Sequence, residues 1–161
     1  MNYFELFEFS EAPLVNKSDL SRRYFELQKK FHPDYFTDAT EAEKEEVLEM
    51  SSAVNKAFVI FKNEQKTIEY FLQLRGMAED EKYKLSPDFL MEMMEINEML
   101  DEGNRHLVKD KIDEMGSKME SDIRPVLQSF SSETAASDLE IIKDYYYKKK
   151  YLNRILDRLV D

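Results

Sequence analysis

Apolar residues return every three or four positions along most of the chain, between short polar breaks, which is the spacing of amphipathic helices rather than strands. Tyr3, Phe4, Leu6 and Phe7 form a first cluster of two turns, limited by Pro13. A second helix is predicted to open near Ser18, whose hydroxyl can accept from an orphan backbone N–H, and to end near Phe31, because Pro33 disfavours helical geometry at His32. Its inward stripe is Leu20, Tyr24, Leu27 and Phe31. A loop with Pro33, Asp34, Thr37 and Asp38 follows. Thr40 then caps a third helix whose glutamate-rich first turns suit the helix dipole. Val47, Met50, Ser51, Val54, Ala57, Phe58 and Phe61 mark its buried face, and a further helix near Gln65 to Leu74 stops at Gly76.

The stretch 77–85 is polar and lacks periodicity, so it reads as a linker. A second unit restarts at Ser86-Pro87-Asp88, with a cap, a first-turn proline and a first-turn acid. That helix stops at Gly103. Another runs from Leu107 to Phe130 with a bend expected at Pro125, which lacks a backbone donor. Ser131 to Ser137 is a turn of small residues, and a last helix from Asp138 to the end is expected to bury Ile142, Tyr145, Leu152, Leu156 and Leu159. Three helices joined by short turns predict a small antiparallel bundle. The fold class is therefore all-α, with a helical-hairpin unit over 1–76, a linker over 77–85 and a three-helix bundle over 86–161.

Composition narrows the chemistry. With 3 Gly and 4 Pro in 161 residues, little interrupts the helices. A formal net charge of -11 argues against nucleic acid as a partner, since phosphate binding is driven by Lys and Arg releasing counterions. The absence of cysteine excludes disulfides, thiol catalysis and thiolate metal ligation. No apolar run approaches the roughly 20 residues that span a bilayer, so no membrane association is expected. Met1 to Ser10 carries Glu5 and Glu8 and no basic residue, unlike a secretory signal or transit peptide, and a cytoplasmic location is expected. Nor does the pattern suit an enzyme, because its carboxylates are isolated on solvated helices. A helical di-iron site needs a Glu three residues before a His, and Lys29 and Gly103 hold those places before His32 and His106. No catalytic residue, metal site or cofactor is expected, and His106 is assigned no role.

The sharpest local feature is His32-Pro33-Asp34, directly after a basic helix. At about 100° per residue, Arg22 and Lys29 fall opposite the inward stripe, with Arg23 and Lys30 beside them. The result is a cationic strip on an acidic chain. The proline fixes its own φ, the histidine sits where a helix C-terminus favours a donor, and the aspartate offers a carboxylate suited to a forked pair with an arginine. A turn tripeptide or a solvated basic face is common alone; together at this spacing they describe a docking loop.

With that loop, the short first helix and Val54-Asn55-Lys56-Ala57-Phe58 in the third, residues 1 to about 62 resemble a J domain. The resemblance implies that His32, Pro33 and Asp34 are the essential loop for engaging a DnaK-type chaperone and promoting its ATP hydrolysis. It also implies that Arg22, Arg23, Lys29 and Lys30 steer the encounter. Tyr35 departs from the family pattern, which often has a basic residue there.

On the helix from Ser86, Phe89, Met93, Ile96 and Leu100 cluster within roughly 60° and form an ordinary buried stripe. Leu90, Met91 and Met94 form a second apolar patch away from it, continued along the helix by Glu95, Glu98 and Glu102. Either a wide core takes both patches, or the second meets water and docks a partner with a basic edge.

Asn2-Tyr3-Phe4, the J domain, Phe89-Leu90-Met91-Glu92 and the closing bundle together are similar to the HscB family, J-type co-chaperones of iron–sulfur cluster assembly, over nearly the whole chain. That resemblance implies a DnaK/HscA-class ATPase as one partner. It implies an IscU-type scaffold protein as the other, bound through Leu90, Met91, Met94, Glu95, Glu98 and Glu102. An aromatic of the family's last helix matches Tyr151 through Lys150-Tyr151-Leu152, with Tyr145, Tyr146 and Tyr147 close by. Animal relatives add a zinc module with cysteines, which this chain does not have. Two other readings stay open: a J protein with a different client, and a helical adaptor without effect on any ATPase. A monomer is expected, although a second copy could also cover the extra patch.

Overall fold

The structure, a computed structural model, describes every residue except Glu81, Ser132, Thr134, Ala135 and Asp161. Among the described residues there are seven α-helices and no strand: α1 (Tyr3–Leu6), α2 (Lys17–Phe31), α3 (Glu41–Phe61), α4 (Glu64–Gln73), α5 (Pro87–Asp101), α6 (Arg105–Gln128) and α7 (Ala136–Arg158). A 3₁₀ turn over Pro33–Phe36 joins α2 to α3. The chain divides into two compact units, Met1–Arg75 and Gly76–Asp161. None of the helices is long and apolar enough to cross a membrane, among the described residues.

In the first unit, α1 is held by a capping box: Asn2 Oδ1 accepts from the Glu5 N–H at 2.9 Å, and the Glu5 carboxylate accepts from the Asn2 N–H at 3.1 Å. Phe4 and Phe7 are fully buried and meet Phe61 of α3 at ring-centroid distances of 4.9 and 5.5 Å. The next helix begins one residue before the predicted Ser18, at Lys17. Its cap is Asn16, whose Oδ1 accepts from the Asp19 N–H at 3.0 Å. Thr40 caps α3 as the sequence suggests, accepting from the Glu43 N–H at 3.2 Å. Across the α2–α3 hairpin, Tyr24 stacks on Phe58 with ring centroids 3.9 Å apart, and its hydroxyl donates to Asn55 Oδ1 at 2.9 Å. Thr67 on α4 is buried yet satisfied, because its hydroxyl lies 2.8 and 3.1 Å from the carbonyls of Asn63 and Ile60.

In the second unit, α5, α6 and α7 enclose a core of Phe89, Met93, Ile96, Val108, Ile112, Leu152 and Ile155. Ser86 caps α5 by accepting from the Phe89 N–H at 3.3 Å. Gly103 ends it with φ +85, a left-handed turn that a side chain would strain. Pro125 lies inside the final turn of α6, which runs on to Gln128. Of the turn predicted at 131–137, Ser132, Thr134 and Ala135 lie outside the described residues, and Ala136 and Ser137 already belong to α7. On α7 the buried tyrosine is Tyr146 rather than Tyr145, and Ile155 takes the deep position expected of Leu156. Leu156 and Leu159 pack at the margin of the core.

The polar segment read as a linker is not slack. Ala78 is buried, the Asp80 N–H donates to the Tyr147 hydroxyl at 2.7 Å, and the Asp80 carboxylate pairs with Lys143 at 3.0 Å. The Tyr83 hydroxyl donates to Asp144, and its ring stacks on Tyr147 at 4.6 Å. Burial first, and then the adjacent Asp144 carboxylate, hold the Tyr83 phenol well above its ordinary range. The hydrogen bond from Lys143 holds Asp80 below the usual carboxylate value and raises Lys143 in turn. Asp80 and Tyr83 thus form a strap against α7.

Candidate functional site

The first candidate surface begins where α2 stops. Pro33 prevents a further helical residue, so His32 turns extended, at ψ 126, and the chain enters the 3₁₀ turn with Pro33 at its start. The imidazole folds back: Nδ1 accepts from the Asp34 N–H at 3.2 Å, which leaves the ring proton on Nε2. The expectation that this histidine serves as a donor at the helix end is therefore modified, since one ring nitrogen is used as an acceptor inside the loop. An Asp34 carboxylate oxygen lies 3.6 Å from Nδ1, and that side chain is 86% exposed. Tyr35 sets the edge of its ring against the imidazole at 5.9 Å. The sequence marks Tyr35 only as a departure from the family pattern; the structure gives it contact with the loop histidine.

Beside the loop, the basic strip is not uniform. Arg22, Lys29 and Lys30 are exposed. Arg22 makes solvent-facing pairs with Asp19 at 3.4 Å and Glu26 at 3.9 Å, which hold it only weakly. Lys29 lies over the Phe25 ring at 4.5 Å and Lys30 over the Phe31 ring at 5.2 Å. In each contact the ammonium nitrogen itself faces a ring, and both lysines remain exposed. Arg23 is different. Its side chain is 18% exposed, with Nε donating to the Phe7 carbonyl at 3.0 Å and the guanidinium paired to Glu8 and Glu26. Its position is that of a brace between the end of α1 and α2, which corrects its placement on the open strip.

The second candidate surface is the outer side of α5. Phe89, Met93 and Ile96 are buried and Leu100 packs against the same core, so the inward stripe is as expected. The core does not take the second patch. Leu90, Met91 and Met94 are 39, 61 and 64% exposed, and Glu95, Glu98 and Glu102 are exposed along the same face. Tyr151 comes from another helix. It sits on α7 with its ring edge-on to Phe89 at 6.0 Å, half-buried, and lines a cleft with Leu85, Tyr147 and Arg154.

An exposed His-Pro-Asp loop directly after a basic helix, followed in the same chain by a separate bundle with an apolar and acidic face, is the arrangement of a J-type co-chaperone. Comparison with known proteins agrees. Residues 85–160 match the family model of the HSCB C-terminal oligomerisation domain. The chain is 30% identical over 165 residues to the co-chaperone protein HscB homolog of Shewanella baltica (strain OS185), covering 99% of this chain and 95% of the relative. It is 37% identical over 103 residues to that of Vibrio cholerae serotype O1 (strain M66-2), covering 63% and 60%. Among solved structures, human co-chaperone protein HscB superposes with a TM-score of 0.77 at 25% identity, over 99% of this chain and 80% of that one. Chaperone HscB from Vibrio cholerae gives 0.72 at 25% identity, over 98% and 95%. The chain belongs to the HscB family, J-type co-chaperones of iron–sulfur cluster assembly.

Proposed function

We propose that this chain stimulates the ATPase of a DnaK/HscA-class chaperone and delivers an IscU-type iron–sulfur scaffold protein to it. The first unit serves the ATPase through His32, Pro33 and Asp34, with Arg22, Lys29 and Lys30 steering the encounter by charge. The second serves the scaffold through Leu90, Met91, Met94, Glu95, Glu98 and Glu102, with Tyr151 contributing from the cleft beside Phe89. It acts in the cytoplasm, performs no bond chemistry of its own and needs no cofactor.

The observation that carries this reading is the loop itself. A proline-fixed turn keeps an imidazole and a solvent-exposed carboxylate side by side, beside accessible cations, on a chain whose net charge is -11. A carboxylate so displayed can accept the paired N–H groups of an arginine, and the imidazole Nε2–H remains free to donate. On the other face, the three exposed apolar side chains supply area that gains from burial, and the glutamates fix orientation against a basic edge.

The deciding experiment measures ATPase stimulation of a DnaK/HscA-class chaperone with and without an IscU-type scaffold. His32→Gln is expected to abolish stimulation in both conditions while scaffold affinity is unchanged. Leu90→Ala with Met94→Ala is expected to keep the scaffold-independent stimulation and lose the scaffold-dependent part. Equal stimulation by His32→Gln and the parent chain would remove the claim about the ATPase. Full scaffold affinity in the α5 variant would remove the claim about that face.

A further inference from the structure

The nine methionines divide sharply by surroundings. Met93 is wholly buried, and Met50, Met77, Met99, Met115 and Met119 are partly covered. Apart from the terminal Met1, only Met91 and Met94 stand open, at 61 and 64% exposure, and both lie in the apolar head of the outer face of α5. A leucine or isoleucine would give similar apolar area there. A thioether adds a reactive sulfur, whose oxidation follows its access to solvent.

We propose that Met91 and Met94 are an oxidation-sensitive modification site that controls docking on this face. The co-reactant is a peroxide. A sulfur lone pair attacks one peroxide oxygen, the S–O bond forms as the O–O bond breaks, and the departing hydroxide takes up the proton to leave as water. Sulfur is oxidised by two electrons to the sulfoxide and the peroxide is reduced. A dithiol-dependent sulfoxide reductase reverses the step, its thiols supplying two electrons and the oxygen leaving as water. The inference rests on the reading of this face as the scaffold dock and deepens it.

The local chemistry explains why the modification would matter. The sulfoxide oxygen is a strong acceptor, hydrated while the face is open. One helical turn either side of Met91 the polar neighbours are Asp88 and Glu95, which as carboxylates accept and do not donate, whereas Met94 has Asn97 and Glu98 one turn on. A partner that covers the apolar head therefore strips water from the new oxygens, and at Met91 the flanking carboxylates of this chain supply no donor in its place. The fold is not at stake, because the core residue of this turn is Met93, shielded from oxidant.

The test treats the full chain with hydrogen peroxide and follows it by peptide mass mapping, circular dichroism and calorimetric titration with an IscU-type scaffold. Met91 and Met94 are expected to gain one oxygen each well ahead of Met93 and the partly covered methionines, with the helical spectrum unchanged. Scaffold affinity is expected to fall about tenfold, the cost of covering an unpaired acceptor, and to return after reductase treatment. Met91→Leu with Met94→Leu, which retains Met1 and is compared with its own untreated affinity, is expected to keep that affinity after the same treatment. Both sulfoxides formed with affinity unchanged overturns the inference, as does oxidation of the covered methionines first. Untreated Leu90→Ala separates the two claims: if it weakens binding while oxidation does not, the dock stands and the switch falls. If Leu90→Ala binds like the parent, the dock falls and the switch with it.

Discussion

Met93 and Met94 are adjacent in the chain and opposite in environment, and α-helical geometry is the whole reason. A rotation of about 100° carries one sulfur into a core of Phe89, Ile96 and Leu152 and the other into water. Truncating Met93 removes buried methylenes and leaves a cavity, so Met93→Ala is expected to cost about 2–5 kcal/mol in urea-induced unfolding. Met94→Ala, with little buried to lose, is expected to change stability by less than about 0.5 kcal/mol. Similar losses at both positions would mean that the outer patch belongs to the core after all. Arg23 teaches the complementary lesson. The helical wheel places it with the cations of α2, but its partners Phe7 and Glu8 lie across a corner whose geometry depends on Glu8 at φ +58. Nothing in the local pattern predicts that fold-back, whereas His32-Pro33-Asp34 was legible because its conformation is fixed by its own proline.

At the scale of elements, sequence reading succeeded wherever the controlling interaction is local. Thr40 and Ser86 bond to backbone N–H groups three residues on, and Gly103 supplies a turn that follows from its own lack of a side chain. It failed where several residues satisfy the same rule. Asn16 and Ser18 can both cap α2, and Tyr145, Tyr146 and Tyr147 offer three phases for α7 that only tertiary packing distinguishes. The strap was missed because Asp80 and Tyr83 bond to residues more than sixty positions away, and polar residues without periodicity look like a loop. Its ion pair sets a testable pH dependence. Asp80 is depressed in the folded chain, so its contribution is present above the ordinary carboxylate value of about 4 and is lost as pH falls through the lower folded value. Lys143, being raised, keeps its contribution below the ordinary ammonium value and loses it only as pH rises through the higher folded one. Lys143→Met is therefore expected to melt a few degrees below the parent at pH 7, with the gap closing in acid. A gap that does not narrow as the solution is acidified through and below the carboxylate range would assign the loss to packing rather than to the pair.

For the molecule as a whole, the two candidate surfaces belong to separate compact units and share no residue. Effects on one should therefore add to effects on the other, since groups without common partners couple weakly. His32→Gln combined with Leu90→Ala and Met94→Ala is expected to show the scaffold affinity of the α5 variant and the lost stimulation of the loop variant. The coupling energy between them in scaffold binding should lie within about 0.5 kcal/mol, read by calorimetry across the four proteins. A larger value would mean that the loop and the bundle communicate before either partner arrives.

The strap also decides where this protein can be cut. A fragment opened at Ser86 would keep all three helices of the bundle yet strip Tyr147, Asp144 and Lys143 of the partners that cover that flank of α7. Beginning at Gly76 retains them, so the natural seam for excising the C-terminal half lies some ten residues upstream of the first bundle helix.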